Sequence, residues 1–133
     1  MTDVHLLLLA AFLTWFSLIL ASALRSRSWT SAGREVAFGN REQQPEPSPL
    51  ARRADRAAGN MLENLPLFIC AVVAARLAGA PPEAIVPGAH VFVWARVVYL
   101  GVYLAGVPYL RTLVYFISIV GVATVGAAAV RAG

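Results

Sequence analysis

The chain has no lysine, and only one cysteine and two histidines among its 133 residues. A lone Cys70 allows no intrachain disulfide, and its place in an apolar run makes it a small core or lipid-facing residue. His5 and His90 are far apart, so no metal-ligand spacing exists and no metal is expected. Charge is scarce too: 14% of residues are charged, with seven acids against eleven arginines and a net charge of +4. A basic excess often signals nucleic acid, but there is no basic-aromatic module here, so no nucleic-acid partner is expected.

What the chain has instead is apolar length. Hydrophobic residues make up 59% of it, above the roughly 45–50% of soluble domains. They gather in four blocks that approach or exceed the roughly 20 residues needed to cross a bilayer. The expected fold is all-α and integral to the membrane, a single domain over 1–133 forming a four-transmembrane-helix bundle. Helices are expected at about 5–24, 49–79, 84–105 and 109–130, with one long loop at about 25–48.

The first block competes with a secretory signal, helped by the small residues Ala21, Ser22 and Ala23. The segment before it holds Asp3 and no basic residue, and the block is too long for a signal core, so it reads as a retained span. It also holds no acid between Val4 and Leu24, which sets aside a small four-helix multidrug exporter with a glutamate in its first helix.

Seven of the eleven arginines (Arg25, Arg27, Arg34, Arg41, Arg52, Arg53 and Arg56) lie between the first and second blocks. That bias puts the long loop in the cytoplasm and both termini in the periplasm or its equivalent, as in a bacterial inner membrane. Gly33, Gly39, Pro45, Pro47 and Pro49 are expected to break any helix over 28–48, with Trp29 and Phe38 resting the loop on the membrane interface.

Ser48 then Pro49 reads as an N-cap with proline at the first helical position. The alternative starts the second span at Asn60, with Glu63 completing a capping pair. Ala51, Ala54, Ala57 and Ala58 favour the earlier start. Such a helix is longer than the bilayer core, and Pro66 is expected to bend it near the membrane surface. At about 100° per residue, Arg53, Arg56, Asn60 and Glu63 share one stripe.

A second polar set follows. Arg96, Tyr99 and Tyr103 share a face of the third span, and Arg111 and Tyr115 are one turn apart on the fourth. Gly121, Ala123, Gly126, Ala127 and Ala128 suit close helix packing there. An arginine in a partly dry site stays charged and needs a partner. Glu63, the only acid expected within the membrane spans, cannot satisfy Arg56, Arg96 and Arg111 together. The surplus argues for an anionic ligand in a cavity opening to the cytoplasm. The plainer reading makes Arg53 and Arg56 headgroup anchors, Asn60 with Glu63 a cap, and the tyrosines packing or interface aromatics.

The pattern R-x-x-R-A-x-x-N-x-x-E-x-x-P from Arg53 to Pro66, followed by R-x-x-Y-x-x-x-Y, a glycine-proline turn and R-x-x-x-Y from Arg96 to Tyr115, resembles the MAPEG family. These are membrane-associated proteins in eicosanoid and glutathione metabolism. The Gly39–Glu42, Glu63–Phe68 and Tyr103–Leu113 runs look most like its bacterial branch. The resemblance implies a homotrimer with glutathione as co-substrate, bound between subunits, and a lipophilic small molecule as the second substrate, with membrane lipids around it. It implies that Arg53, Arg56, Asn60 and Glu63 hold the peptide, and that Tyr99, Tyr103 and Tyr115 line the pocket. Arg111 matches the arginine that stabilises the thiolate, and Arg96 a deeper arginine near the thiol or second substrate. The implied activity is of the microsomal glutathione transferase type: conjugation to lipophilic electrophiles or reduction of lipid hydroperoxides. The alternative is a non-catalytic membrane subunit or lipid-binding scaffold that keeps the fold. Ala58, Gly59 and Asn64 depart from the family pattern, and Arg25 and Arg27 both compete for its first-helix arginine.

Overall fold

Short polar residues set the helix starts. Thr2 opens α1 (Asp3–Ser26) by accepting the His5 N–H through its hydroxyl, and Arg27 closes it in the left-handed region at φ 54°. Ser48 opens α3 (Pro49–Leu77) by accepting the Ala51 N–H at 3.1 Å, with Pro49 in the first turn, where its missing N–H costs nothing. The segment before Asn60 is therefore helical, and the chain stays helical through Pro66. Gly106, at φ 79°, ends α4 (Pro82–Ala105) and turns the chain into α5 (Pro108–Ala132). The computed structural model describes residues 1–40 and 46–133, so Arg41, Glu42 and Pro45 lie outside the described residues.

One element departs from the sequence reading. Its glycines and prolines predict a helix-free segment over 28–48, yet Ser31–Phe38 forms a short helix, α2. Thr30 caps it by accepting the Gly33 N–H at 2.9 Å. Gly33 is its seat rather than a breaker: a Cβ there would meet the Arg27 carbonyl oxygen at 2.1 Å and that of Ser26 at 2.4 Å. Only glycine lets α2 rest directly on the end of α1.

Four helices (α1, α3, α4 and α5) are long and apolar enough to cross a membrane, and the described residues contain no strand. The protein is an integral membrane helical bundle. Large apolar side chains such as Phe12, Trp15, Leu67, Trp94, Phe116 and Val120 stay exposed on its outside. In water that would be costly; in a bilayer it is ordinary solvation. The spans alternate in direction, so one end carries both termini and the other carries α2 and the α4–α5 turn.

The two central helices, α3 and α4, each pack on both α1 and α5. Toward the terminal end the core is aliphatic and aromatic, with the Phe68 and Phe92 rings stacked 4.2 Å apart. Toward the other end it is mostly alanine and tyrosine, Ala57, Ala95, Tyr99 and Tyr103, with Val114. The α4–α5 seam is the closest. A Cβ on Gly121 would stand 2.6 Å from the Phe92 backbone nitrogen, and one on Gly88 would stand 2.8 Å from the Gly121 carbonyl oxygen. Gly126, also expected to suit close helix packing, has nothing within 4 Å of where its Cβ would stand.

Candidate functional site

The alanine-rich face of α3 (Ala51, Ala54, Ala57, Ala58 and Met61) turns inward, and this decides where its polar residues go. Arg53 and Asn60 border that face and are half-buried, whereas Arg56 and Glu63 point away from the bundle and are exposed. The polar stripe is thus split lengthwise. Neither Arg56 nor Glu63 forms an ion pair among the described residues, so Glu63 satisfies none of the arginines of the site.

Arg96 lies at the centre of what does converge. It is 1% exposed, and its Nη1 donates to Asn60 Oδ1 at 2.6 Å. Its guanidinium carbon sits 5.4 Å from the Phe92 ring centre, 5.3 Å from that of Tyr99 and 5.4 Å from that of Tyr115. Three aromatic faces attract a cation but accept no conventional hydrogen bond in its plane. The remaining nitrogens, Nε and Nη2, are buried without a partner. A charge that cannot be discharged, held in aromatic surroundings with one neutral acceptor, is an expensive arrangement unless an acceptor arrives.

The cluster continues toward the turn. Tyr99 and Tyr103 meet with ring centres 5.3 Å apart, and Arg111 lies over Tyr103 at 4.8 Å. Arg96, Tyr99, Tyr103, Arg111 and Tyr115 therefore form one continuous cation–aromatic run on α4 and α5. Arg53 approaches it from α3, its Nη1 lying 3.0 Å from where a Gly106 Cβ would stand. The Arg53 Nε is also buried and unpartnered. Arg53, Arg96 and Arg111 thus lie along this end of the bundle, and none of them forms an ion pair with a carboxylate among the described residues. Asn64, at one of the departing positions, is buried beside Asn60 and donates to the Asn60 carbonyl oxygen at 2.7 Å.

Two ion pairs escaped the sequence reading. Arg76 grips Asp3 through Nε and Nη2, each at 2.5 Å, at the terminal end. Arg25 grips Asp55 through Nη2 at 2.5 Å and Nε at 3.1 Å at the opposite end. The up-and-down order of the spans was a usable signal for both, since it puts each partner at the same level. A cavity of about 290 Å³ adjoins the second pair, between α1, α2 and α3, and none of the nine expected site residues lines it. No group of three or more His, Cys, Asp or Glu suited to a metal occurs among the described residues.

Four spans packed into one all-helical bundle make this a small integral membrane protein. The MAPEG family profile matches residues 4–131, nearly the whole chain, and the chain belongs to that family. No curated protein and no solved structure matches it.

Proposed function

We propose that this protein binds glutathione and acts as a microsomal glutathione transferase-type enzyme, on lipophilic electrophiles or lipid hydroperoxides. The observation that carries this reading is Arg96, with two guanidinium nitrogens buried and unpartnered beside the half-buried Arg53 and Arg111. The residues fit an anionic peptide: unmatched guanidinium groups for carboxylate or thiolate, and the Tyr99, Tyr103 and Tyr115 hydroxyls as neutral donors.

Glutathione, when bound, supplies the nucleophilic sulfur and the reducing electrons. Arg111 and Arg96 hold fixed positive charge where that sulfur ionises; such a cation can pull a thiol from its usual value near 8.5 to below neutral. Tyr99 and Tyr103 wall the site from lipid. Arg56, Asn60 and Glu63 hold the peptide, Arg56 on a carboxylate and Glu63 on the amino group.

Because Arg56 and Glu63 face outward, one subunit cannot gather the whole set. A homotrimer with the ligand between neighbours resolves this, since a neighbour would stand against the exposed face of α3. The arginine bias of the α1–α3 connection orients that site toward the cytoplasm of a bacterial inner membrane, with both termini periplasmic.

The same outward placement favours a second reading, a non-catalytic family subunit or lipid-binding scaffold in which Arg56 and Glu63 only meet headgroups. Calorimetry on the detergent-solubilised protein separates the two. Saturable heat with millimolar glutathione, lost in Arg96→Leu, is expected; no heat from a folded protein leaves the scaffold.

A further inference from the structure

The cavity between α1, α2 and α3 has its own chemistry, separate from the Arg96 cluster. Leu18 and Ala21 of α1 with Ala58 and Gly59 of α3 give it an apolar lining, to which Ser22 and Ser26 of α1 add two hydroxyls. Val36 and Ala37 of α2 line it as well. The Arg25–Asp55 pair stands at its rim, level with the end of α1 and so at the depth where a membrane span gives way to headgroups. Both side chains are only partly covered, 43% exposed for Arg25 and 25% for Asp55. Trp29, just before α2, and Phe38, at its end, are exposed, as residues resting in an interface would be.

We infer that this cavity binds the headgroup and upper acyl region of a phosphoethanolamine lipid. The paired rim selects the charge pattern. Asp55 takes the fork of Arg25 with both oxygens and keeps a lone pair on each for a further donor, while Arg25 Nη1 makes no hydrogen bond among the described residues and can serve an acceptor. A zwitterion fits such a pair without breaking it, its ammonium on Asp55 and its phosphate on Arg25. A primary ammonium donates to a carboxylate; a trimethylated choline cannot, and a glycerol headgroup brings no cation. The apolar lining receives the first methylenes, and the Ser22 and Ser26 hydroxyls lie on the same wall for the ester-bearing glycerol backbone. The cavity shares Arg25 with the peptide site if Arg25 is the family's first-helix arginine, so the test includes competition by glutathione.

Gly59 supplies a clean test, because a Cβ there would meet nothing within 4 Å. Gly59→Leu projects into the cavity and also improves helix propensity. Native mass spectrometry would follow the detergent-released protein with ethanolamine, choline and glycerol phospholipids of identical chains. The expected result is retention of the ethanolamine lipid ~tenfold above the other two, as a charged hydrogen bond supplies. Gly59→Leu should abolish that retention, and Asp55→Asn should reduce it to the level of the choline lipid. Equal retention of all three lipids, or undiminished retention in both variants, overturns the inference. A changed subunit number in Gly59→Leu assigns the cavity to contact between copies, and displacement of the lipid by millimolar glutathione assigns it to the peptide; either overturns the lipid site.

Discussion

Asp3, the first residue of α1, holds Arg76, in the last turn of α3, through two parallel hydrogen bonds of 2.5 Å. Asp3 is almost wholly buried, while Arg76 remains half out of the bundle. Each charge also sits at the helix end whose dipole favours it, the acid at an N-terminus and the base at a C-terminus. The pair fastens the two helices at the end away from the candidate site.

Loss of this clasp should therefore lower stability without touching ligand binding. Asp3→Asn and Arg76→Gln are each expected to lower the thermal midpoint in detergent. The double variant should fall no further than the worse single one, because each removes the same interaction. Fully additive losses would show that the two residues act separately.

The α4–α5 seam gives a second contrast. Gly121→Ala places a methyl group against the Phe92 backbone and should cost about 1–3 kcal/mol, as overpacking does. Gly126→Ala, on the same helix, meets open space and should be neutral or stabilise by up to ~1 kcal/mol through helix propensity. Thermal or denaturant unfolding in one detergent compares the pair. Equal destabilisation by both would mean that the seam is not where these helices touch.

A third prediction concerns the peptide site. If Glu63 holds the glutathione amino group from the exposed face of α3, Glu63→Gln should weaken binding about 10- to 100-fold, the worth of a charged hydrogen bond. Arg111→Ala should leave binding measurable but remove the ultraviolet thiolate band, with the oligomer intact. An unchanged band would take Arg111 out of the proposed role.

Much of this architecture was legible from local pattern. Four apolar runs, the Ser48-Pro49 start and the glycine at 106 each mark a boundary through short-range chemistry. The short helix α2 was not legible, because Gly33 reads as a breaker until the carbonyls of Ser26 and Arg27 are seen against it. In the site, helical spacing grouped Arg53, Arg56, Asn60 and Glu63 within one stripe but said nothing of how the bundle would cut it. The alanines were the missed signal: Ala51, Ala54, Ala57 and Ala58 define the buried face, from which Glu63 is turned away. The Asp3–Arg76 and Arg25–Asp55 pairs join residues 73 and 30 positions apart, a relation fixed by packing and absent from any local motif.

The strongest test concerns Asn60, which gives Arg96 its one side-chain hydrogen bond among the described residues. If the site is kept short of negative charge so that an anion can enter, then supplying that charge from the protein should trade function for stability. Asn60→Asp puts a carboxylate of nearly the same shape beside the buried guanidinium, converting a neutral acceptor into a charged one. The midpoint should rise, and glutathione affinity should fall by about tenfold or more as the cation becomes occupied. Asn60→Leu should do the opposite to stability, costing about 1.5–3 kcal/mol by leaving Arg96 with no acceptor. Thermal unfolding and glutathione titration of the three proteins decide it. A carboxylate at position 60 that leaves stability unchanged and binding intact would mean that Arg96 already has its counter-charge, and the case for an anionic ligand at its side would be lost.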